Sequence, residues 1–167
     1  MTDILHPIPA PFVSSLMTVE PQWIDYNGHL NMAYYNVLMD RAVDEAFEQL
    51  GIGASYLKHS NHSTFTAEVH VRYLREIHVH APVRVSFQLI DFDDKRIHLF
   101  EEMRHAEEGW LSATSENMML HVDMGAKKVV PFSAETMKAL AAMKDAHAKL
   151  PFPDGAGRRI AMPAKGR

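Results

Sequence analysis

From Asn31 onward apolar residues recur at steps of three and four. Met32, Tyr35, Met39, Ala42, Val43, Ala46, Phe47 and Leu50 form one series, and Asn36, Asp40, Arg41, Asp44, Glu45 and Glu48 fall between them. That period predicts a long helix with one stripe facing a core. Tyr34, Val37 and Leu38 widen the stripe in its first half, so the helix should be enclosed at its start and wetter towards its end. Asn27 or Asn31 can cap it, and Gly51 suits the position just past its last turn. Downstream the period becomes two. Phe65 to Tyr73 alternates apolar and polar, which predicts a strand with one dry face. Val83, Val85, Phe87 and Leu89 repeat the pattern; Ile97, Leu99 and Met103 share a face of the next strand; Trp110 to Val122 follows the Glu107-Glu108-Gly109 turn. Long strands joined by short turns predict an antiparallel meander rather than βαβ crossovers. Phe12 to Val19 reads as a first strand ended by Pro21, Ile52 to His62 as a short helical or loop piece, and Ser133 as the cap of a last helix running to about Leu150. The order of elements predicts an α+β fold, a sheet curled around one apolar helix.

Composition narrows the class. The 167 residues are 47% hydrophobic and 23% charged, as in a globular chain, and are read as one domain over 1–167. Pro7, Pro9 and Pro11 make residues 1–12 a lead-in arm, and the Pro/Gly/basic stretch 151–167 is expected to be a flexible tail. A net charge of −4 leaves no broad cationic surface for nucleic acid. The absence of cysteine removes thiolate nucleophiles, zinc–thiolate sites and iron–sulfur clusters. No apolar run approaches the roughly 20 residues of a membrane helix, and the first residues lack the basic and apolar regions of a signal peptide. A cytoplasmic, membrane-free protein is expected. Of the 11 histidines, His78 and His80 have strand-compatible ligand spacing, but no third ligand accompanies them, so no metal site is expected.

Chemistry concentrates in Asp25-Tyr26-Asn27-Gly28-His29-Leu30-Asn31, at the start of the long helix. Helix-end amides lack intrahelical acceptors and the helix dipole is positive there, so such an end can polarise a carbonyl oxygen. Gly28 permits close backbone approach, and Asp25 sets a carboxylate beside those donors. A carboxylate with oriented amides suffices for acyl transfer, with the carboxylate as nucleophile or acting through water. The same residues also serve as ordinary turn and cap formers, and local spacing leaves both readings standing.

Asp-x-x-Gly-His-x-Asn followed by Tyr34 and an apolar helix resembles the hotdog-fold acyl-CoA thioesterases of the 4-hydroxybenzoyl-CoA thioesterase type. Phe65 to Arg75 and Val122-Asp123 through Phe132 extend the likeness over roughly residues 13 to 132. The resemblance implies a hotdog fold and hydrolysis of a small acyl-CoA thioester. It implies that Asp25 is the catalytic acid and that the backbone N–H of Met32 polarises the thioester carbonyl. It also implies a homo-oligomer, dimer or tetramer, with the site built across the subunit interface. Trp23 departs from the second Asp that many members carry two residues before the catalytic one. Thioesterases resembling this chain around Trp23-Ile24-Asp25-Tyr26-Asn27-Gly28-His29 occur with carnitine catabolism and fused to carnitine dehydrogenase, which implies a betainyl-CoA-like substrate.

The remaining candidates follow from that reading. His29 would touch substrate or orient the loop, and Gly28 and Asn31 would border the acyl group. Trp23, Tyr26 and Trp110 offer aromatic faces to a quaternary ammonium, with Glu68 adding attraction if it faces the same pocket. Arg75 first, then Arg72, would hold coenzyme A phosphates. No cofactor is needed beyond the coenzyme A of the substrate. The rival readings are a hotdog hydratase or dehydratase using His29 as base, and a non-catalytic acyl-CoA-binding protein. The chain lacks the His-x-x-x-Pro-Gly motif of the former.

Overall fold

The computed structural model describes residues 7–162, so the first half of the lead-in arm and the last five residues of the tail lie outside the described residues. The elements are β1 (Phe12–Val13), β2 (Met17–Thr18), α1 (Met32–Gln49), α2 (Ala54–Ser60), β3 (His62–Tyr73), β4 (Pro82–Phe92), β5 (Arg96–His105), β6 (Leu111–Asp123), β7 (Lys128–Val129) and α3 (Ala134–His147). All strand pairs are antiparallel, in the order β1-β4-β5-β6-β3, with β2 also on β4 and β7 on β6. The expected meander is β4-β5-β6.

The helix follows its stripe but is not enclosed at its start. Met32 is 65% exposed, Ala33 and Asn36 are exposed, and Tyr34 and Val37 are only half-buried, because a cleft and a cavity open along this half. Tyr35, Leu38, Met39, Ala42, Val43, Ala46 and Phe47 are buried. Asn31 is the cap, its side chain accepting the Ala33 amide, and Gly51 adopts φ +71° after the last turn. In α3, Ser133 accepts the Thr136 amide, and the helix stops at His147, short of Leu150. The first strand is not continuous. Ser14 interrupts it by turning its hydroxyl to accept the Val85 amide at 3.0 Å, while its carbonyl accepts from Arg84 at 2.7 Å.

The clearest departure is β3, whose expected dry face is not dry. Phe65, Val69 and Tyr73 are 51, 47 and 44% exposed. Two physical reasons combine. β3 is an edge strand, covered on one side only by β6. A bulge between Thr66 and Glu68 then shifts the alternation, so Phe65 pairs Leu120 but Val69 pairs Asn117, three residues apart, and the two side chains point to opposite faces.

The core divides in two. One cluster gathers the second half of α1 (Val43, Ala46, Phe47, Leu50) with Phe87, Leu99, Met119 and α3. The other gathers the first half (Tyr35, Leu38, Met39, Ala42) with Trp23, Leu30, Ile77, Val85, Met103 and Ala113. Between them the core face of β5 and β6 carries Glu101, Ser115 and Asn117, all buried.

His147 closes the far end. Its Nδ1 accepts the Leu89 amide at 2.8 Å and its Nε2 donates to the Pro9 carbonyl at 2.9 Å, which requires a neutral ring. Burial depresses its pKa, and burial likewise depresses that of His121. A depressed folded value means the unfolded chain takes up protons first. The stability these rings contribute is therefore complete above the ordinary histidine range and is lost as pH falls from about 6.5 towards the folded values. Thermal melts between pH 7.5 and 5 should show a falling Tm; a flat profile over that range would contradict the assignment.

Candidate active site

Asp25 to His29 form a tight loop. The Asp25 amide donates to the His29 carbonyl at 2.9 Å, the Gly28 amide to the Asp25 carbonyl at 3.0 Å, and Ile24 bridges Leu30. Gly28 sits at φ +81°, a conformation that disfavours a side chain. One Asp25 carboxylate oxygen accepts the Asn27 amide at 2.8 Å, which fixes the carboxyl's direction and leaves the other oxygen out of that bond. The chain then turns into α1. Asn31 takes the Ala33 amide with its side chain and the Tyr34 amide with its carbonyl, both at 3.0 Å. Met32 opens the helix, and its amide belongs to the first turn, where no intrahelical acceptor exists.

A cleft of about 480 Å³ opens over this end of α1. Asp25, Tyr26, His29, Asn31, Met32 and Arg75 line it together with Tyr35, Tyr73 and Glu76. The end of β3 thus faces the helix start. The Tyr73 hydroxyl donates to the Met32 carbonyl at 3.1 Å, and its ring meets Tyr35 edge-on at 5.0 Å. Burial raises the Tyr35 phenol above its ordinary value and does the same for Tyr73, so both stay protonated donors. His29 Nε2 lies 3.0 Å from Glu76. His78 stands edge-on to His29 at 5.5 Å, and its Nδ1 is 3.3 Å from the Gly28 carbonyl.

Not every candidate reaches the cleft. Trp23 is 5% exposed in the core, stacked on Tyr34 at 5.7 Å with the Arg41 guanidinium 5.1 Å above its ring. Trp110 stacks on His105 at 5.2 Å and carries the Arg75 guanidinium 3.9 Å over its ring. Tyr26 is 97% exposed. Within one chain the three rings therefore do not close around a common point. Glu68 pairs with Met118 on the outer face of the sheet, where it lines a separate cleft with His70, His98 and Glu116. Arg72 shares that outer face, and its guanidinium lies so close over Gly155 that a side chain there would collide with it. The tail is drawn to the same face, because the Gly157 amide donates to Glu116 at 2.8 Å.

Sequence reading passed over Tyr73 and Glu76, which lie far from the motif and reach it only because β3 runs to the helix start. It also passed over Glu101, for which a signal was present. Ile97, Leu99 and Met103 alternate on β5, and Glu101 occupies the apolar place between them.

Residues 19–140 match the family model described as the thioesterase-like superfamily. The chain belongs to that family. It is 37% identical over 87% of its length to the betainyl-CoA thioesterase of Pseudomonas aeruginosa, covering 91% of that protein. It is 40% identical over 85% of its length to the L-carnitine dehydrogenase/betainyl-CoA thioesterase of Rhizobium meliloti, of which it spans 28%. Among solved structures, a Staphylococcus aureus protein in complex with CoA superposes with a TM-score of 0.83 at 27% identity, over 92% of this chain and 96% of that one. The fold is the hotdog fold and the chain is a thioester hydrolase. No helix among the described residues is long and apolar enough to cross a membrane.

Proposed function

We propose that the chain hydrolyses betainyl-CoA, releasing betaine and CoA, as a homo-oligomer in the cytoplasm. The reading is carried by the likeness to the Pseudomonas aeruginosa betainyl-CoA thioesterase over nearly the whole of both chains, together with the placement of Asp25 and Met32 on one cleft. The thioester carbonyl oxygen takes the Met32 amide, whose donor sits at the positive end of α1. Asp25 then attacks the carbonyl carbon or removes a proton from an attacking water. The CoA thiolate departs without needing a metal or redox cofactor, because a thiol is acidic enough to leave as its anion. His29, held against Glu76, steadies the loop that aims Asp25. Arg75, spread on Trp110, stands at the cleft wall where the CoA phosphates would enter. The exposed edge of β3, with Val69 and Tyr73 on its α1 side, offers a second copy of the chain its place.

The test compares kcat/KM for betainyl-CoA and for its neutral isostere 3,3-dimethylbutyryl-CoA, following thiol release. The charged substrate should be preferred about thirtyfold, roughly 2 kcal/mol of differential recognition. Equal rates would remove the substrate assignment and leave the thioesterase.

A further inference from the structure

A second cavity, about 330 Å³, lies further along α1 than the active-site cleft, between the helix and the inner face of β3, β5 and β6. The cleft is lined by Met32 and Tyr35 and the cavity by Asn36, Val37, Met39 and Asp40, so the two follow one another along the helix. Asn36 is one turn from Met32, about 6 Å along the axis. Tyr73 stands at the junction, its hydroxyl bonded to the Met32 carbonyl and its side chain beside Asn36.

The walls are mixed. Val37, Val43, Val69 and Met119 supply apolar surface, and Glu101 supplies a carboxyl that is 1% exposed. Glu101 Oε2 accepts from the Asn117 amide at 3.1 Å; Oε1 is buried with no hydrogen-bond partner among the described residues. Asn117 spends its other contact on Ser115 at 2.9 Å. A carboxyl placed among core residues with one oxygen unmatched costs stability, and the bond from Asn117 offsets only part of that cost. Asp40 adds a second acid on the helix side of the same cavity.

The geometry points to this cavity as the subsite for the cationic end of the acyl group, with Glu101 as its anionic floor, Asp40 at its rim and Val and Met side chains against the N-methyl groups. The inference rests on the substrate reading above and deepens it. A quaternary ammonium has no N–H to donate, so it needs charge without hydrogen-bond geometry and an apolar surface for its methyls. An unmatched carboxylate oxygen in an aliphatic wall meets both needs. Its nitrogen is two bonds from the carbonyl carbon, so a carbonyl oxygen on the Met32 amide would set it at the Asn36 end of the cavity, with its methyl groups directed towards Glu101. Burial first, and then the Asp40 charge, raise Glu101 well above the ordinary carboxylate range, and a neighbouring cation opposes both effects.

The experiment measures the betainyl-CoA to 3,3-dimethylbutyryl-CoA ratio of kcat/KM in wild type, Glu101→Gln and Asp40→Asn. Gln keeps an oxygen for Asn117 and removes only the charge. The ratio should fall about thirtyfold or more in Glu101→Gln, the scale of losing one member of a buried charge pair, and by less in Asp40→Asn. Glu101→Gln should also melt at or above wild type at neutral pH. A group with a raised folded pKa contributes its full stability below its unfolded value and loses it progressively as pH rises from there through the folded one, so at neutral pH removing the charge relieves part of that loss. A wild type indifferent to the charge overturns the substrate reading and this inference with it. A wild-type preference that survives both substitutions overturns the inference alone, as does an equal loss on both substrates with a lower Tm, which would make Glu101 structural. If Glu101→Gln fails to fold, Asp40→Asn at the exposed rim decides, and an unchanged ratio there overturns the subsite.

Discussion

Asp25→Asn should fold and assemble as wild type and lose at least about a hundredfold in kcat. The expectation of a normal fold is specific. The structural duty of Asp25 is to accept the Asn27 amide at 2.8 Å, and an asparagine oxygen can accept it too, more weakly but in the same geometry. What asparagine lacks is the negative charge that a nucleophile or a base requires. Thiol release from an acyl-CoA, measured beside the melting temperature, separates the two duties. Near-normal turnover in a folded Asp25→Asn protein would take Asp25 out of the mechanism.

The second large effect concerns an atom that ordinary side-chain substitution does not reach. Met32→Pro removes the amide assigned to the thioester oxygen and should cost about a hundredfold to a thousandfold in kcat, the range seen when one oxyanion donor is lost. Proline is tolerated here for two reasons. Met32 is the first residue of α1, where the N–H has no intrahelical acceptor and a φ near −65° is already required. Asn31 before it sits at φ −62°, ψ 140°, the extended conformation that a following proline demands. Met32→Ala is the control, because it trims an exposed side chain and keeps the amide. A Met32→Pro protein that folds and works like Met32→Ala would show that the carbonyl is polarised elsewhere.

How much of this was readable in advance depends on the range of the interaction that fixes each part. The extent of the helix, its Asn31 cap, the Gly51 exit and the β4-β5-β6 meander rest on periodicity and turn chemistry, which are local, and they stand as the pattern predicts, whereas the expected enclosure of the helix start does not, since it depends on what packs there. The Asp25 loop was readable for the same reason. β3 was read correctly as a strand and wrongly as dry on one face. Alternation reports which face seeks cover, not whether this chain supplies it, and the bulge after Thr66 falls at Ala67, whose small side chain fits either face and so hides the slip. Trp23 misled because a tryptophan beside a catalytic acid looks like a ligand wall, whereas the loop geometry turns it inward against Tyr34. Glu101 is the opposite case, a legible exception inside a regular row, meaningful only once its neighbours are known to be core.

The divided interior has a further consequence. α1 rests its first half on one apolar cluster and its second half on another, with the polar band of Glu101, Ser115 and Asn117 between them. Substitutions that reshape the cleft at the start of α1, which Leu30 and Tyr35 line, therefore press on only one of the two supports. The other, anchored by Phe47, Phe87, Leu99 and α3, keeps the helix in register while its partner is altered. A scaffold of that kind can trade one acyl specificity for another in small steps, each tolerable on its own.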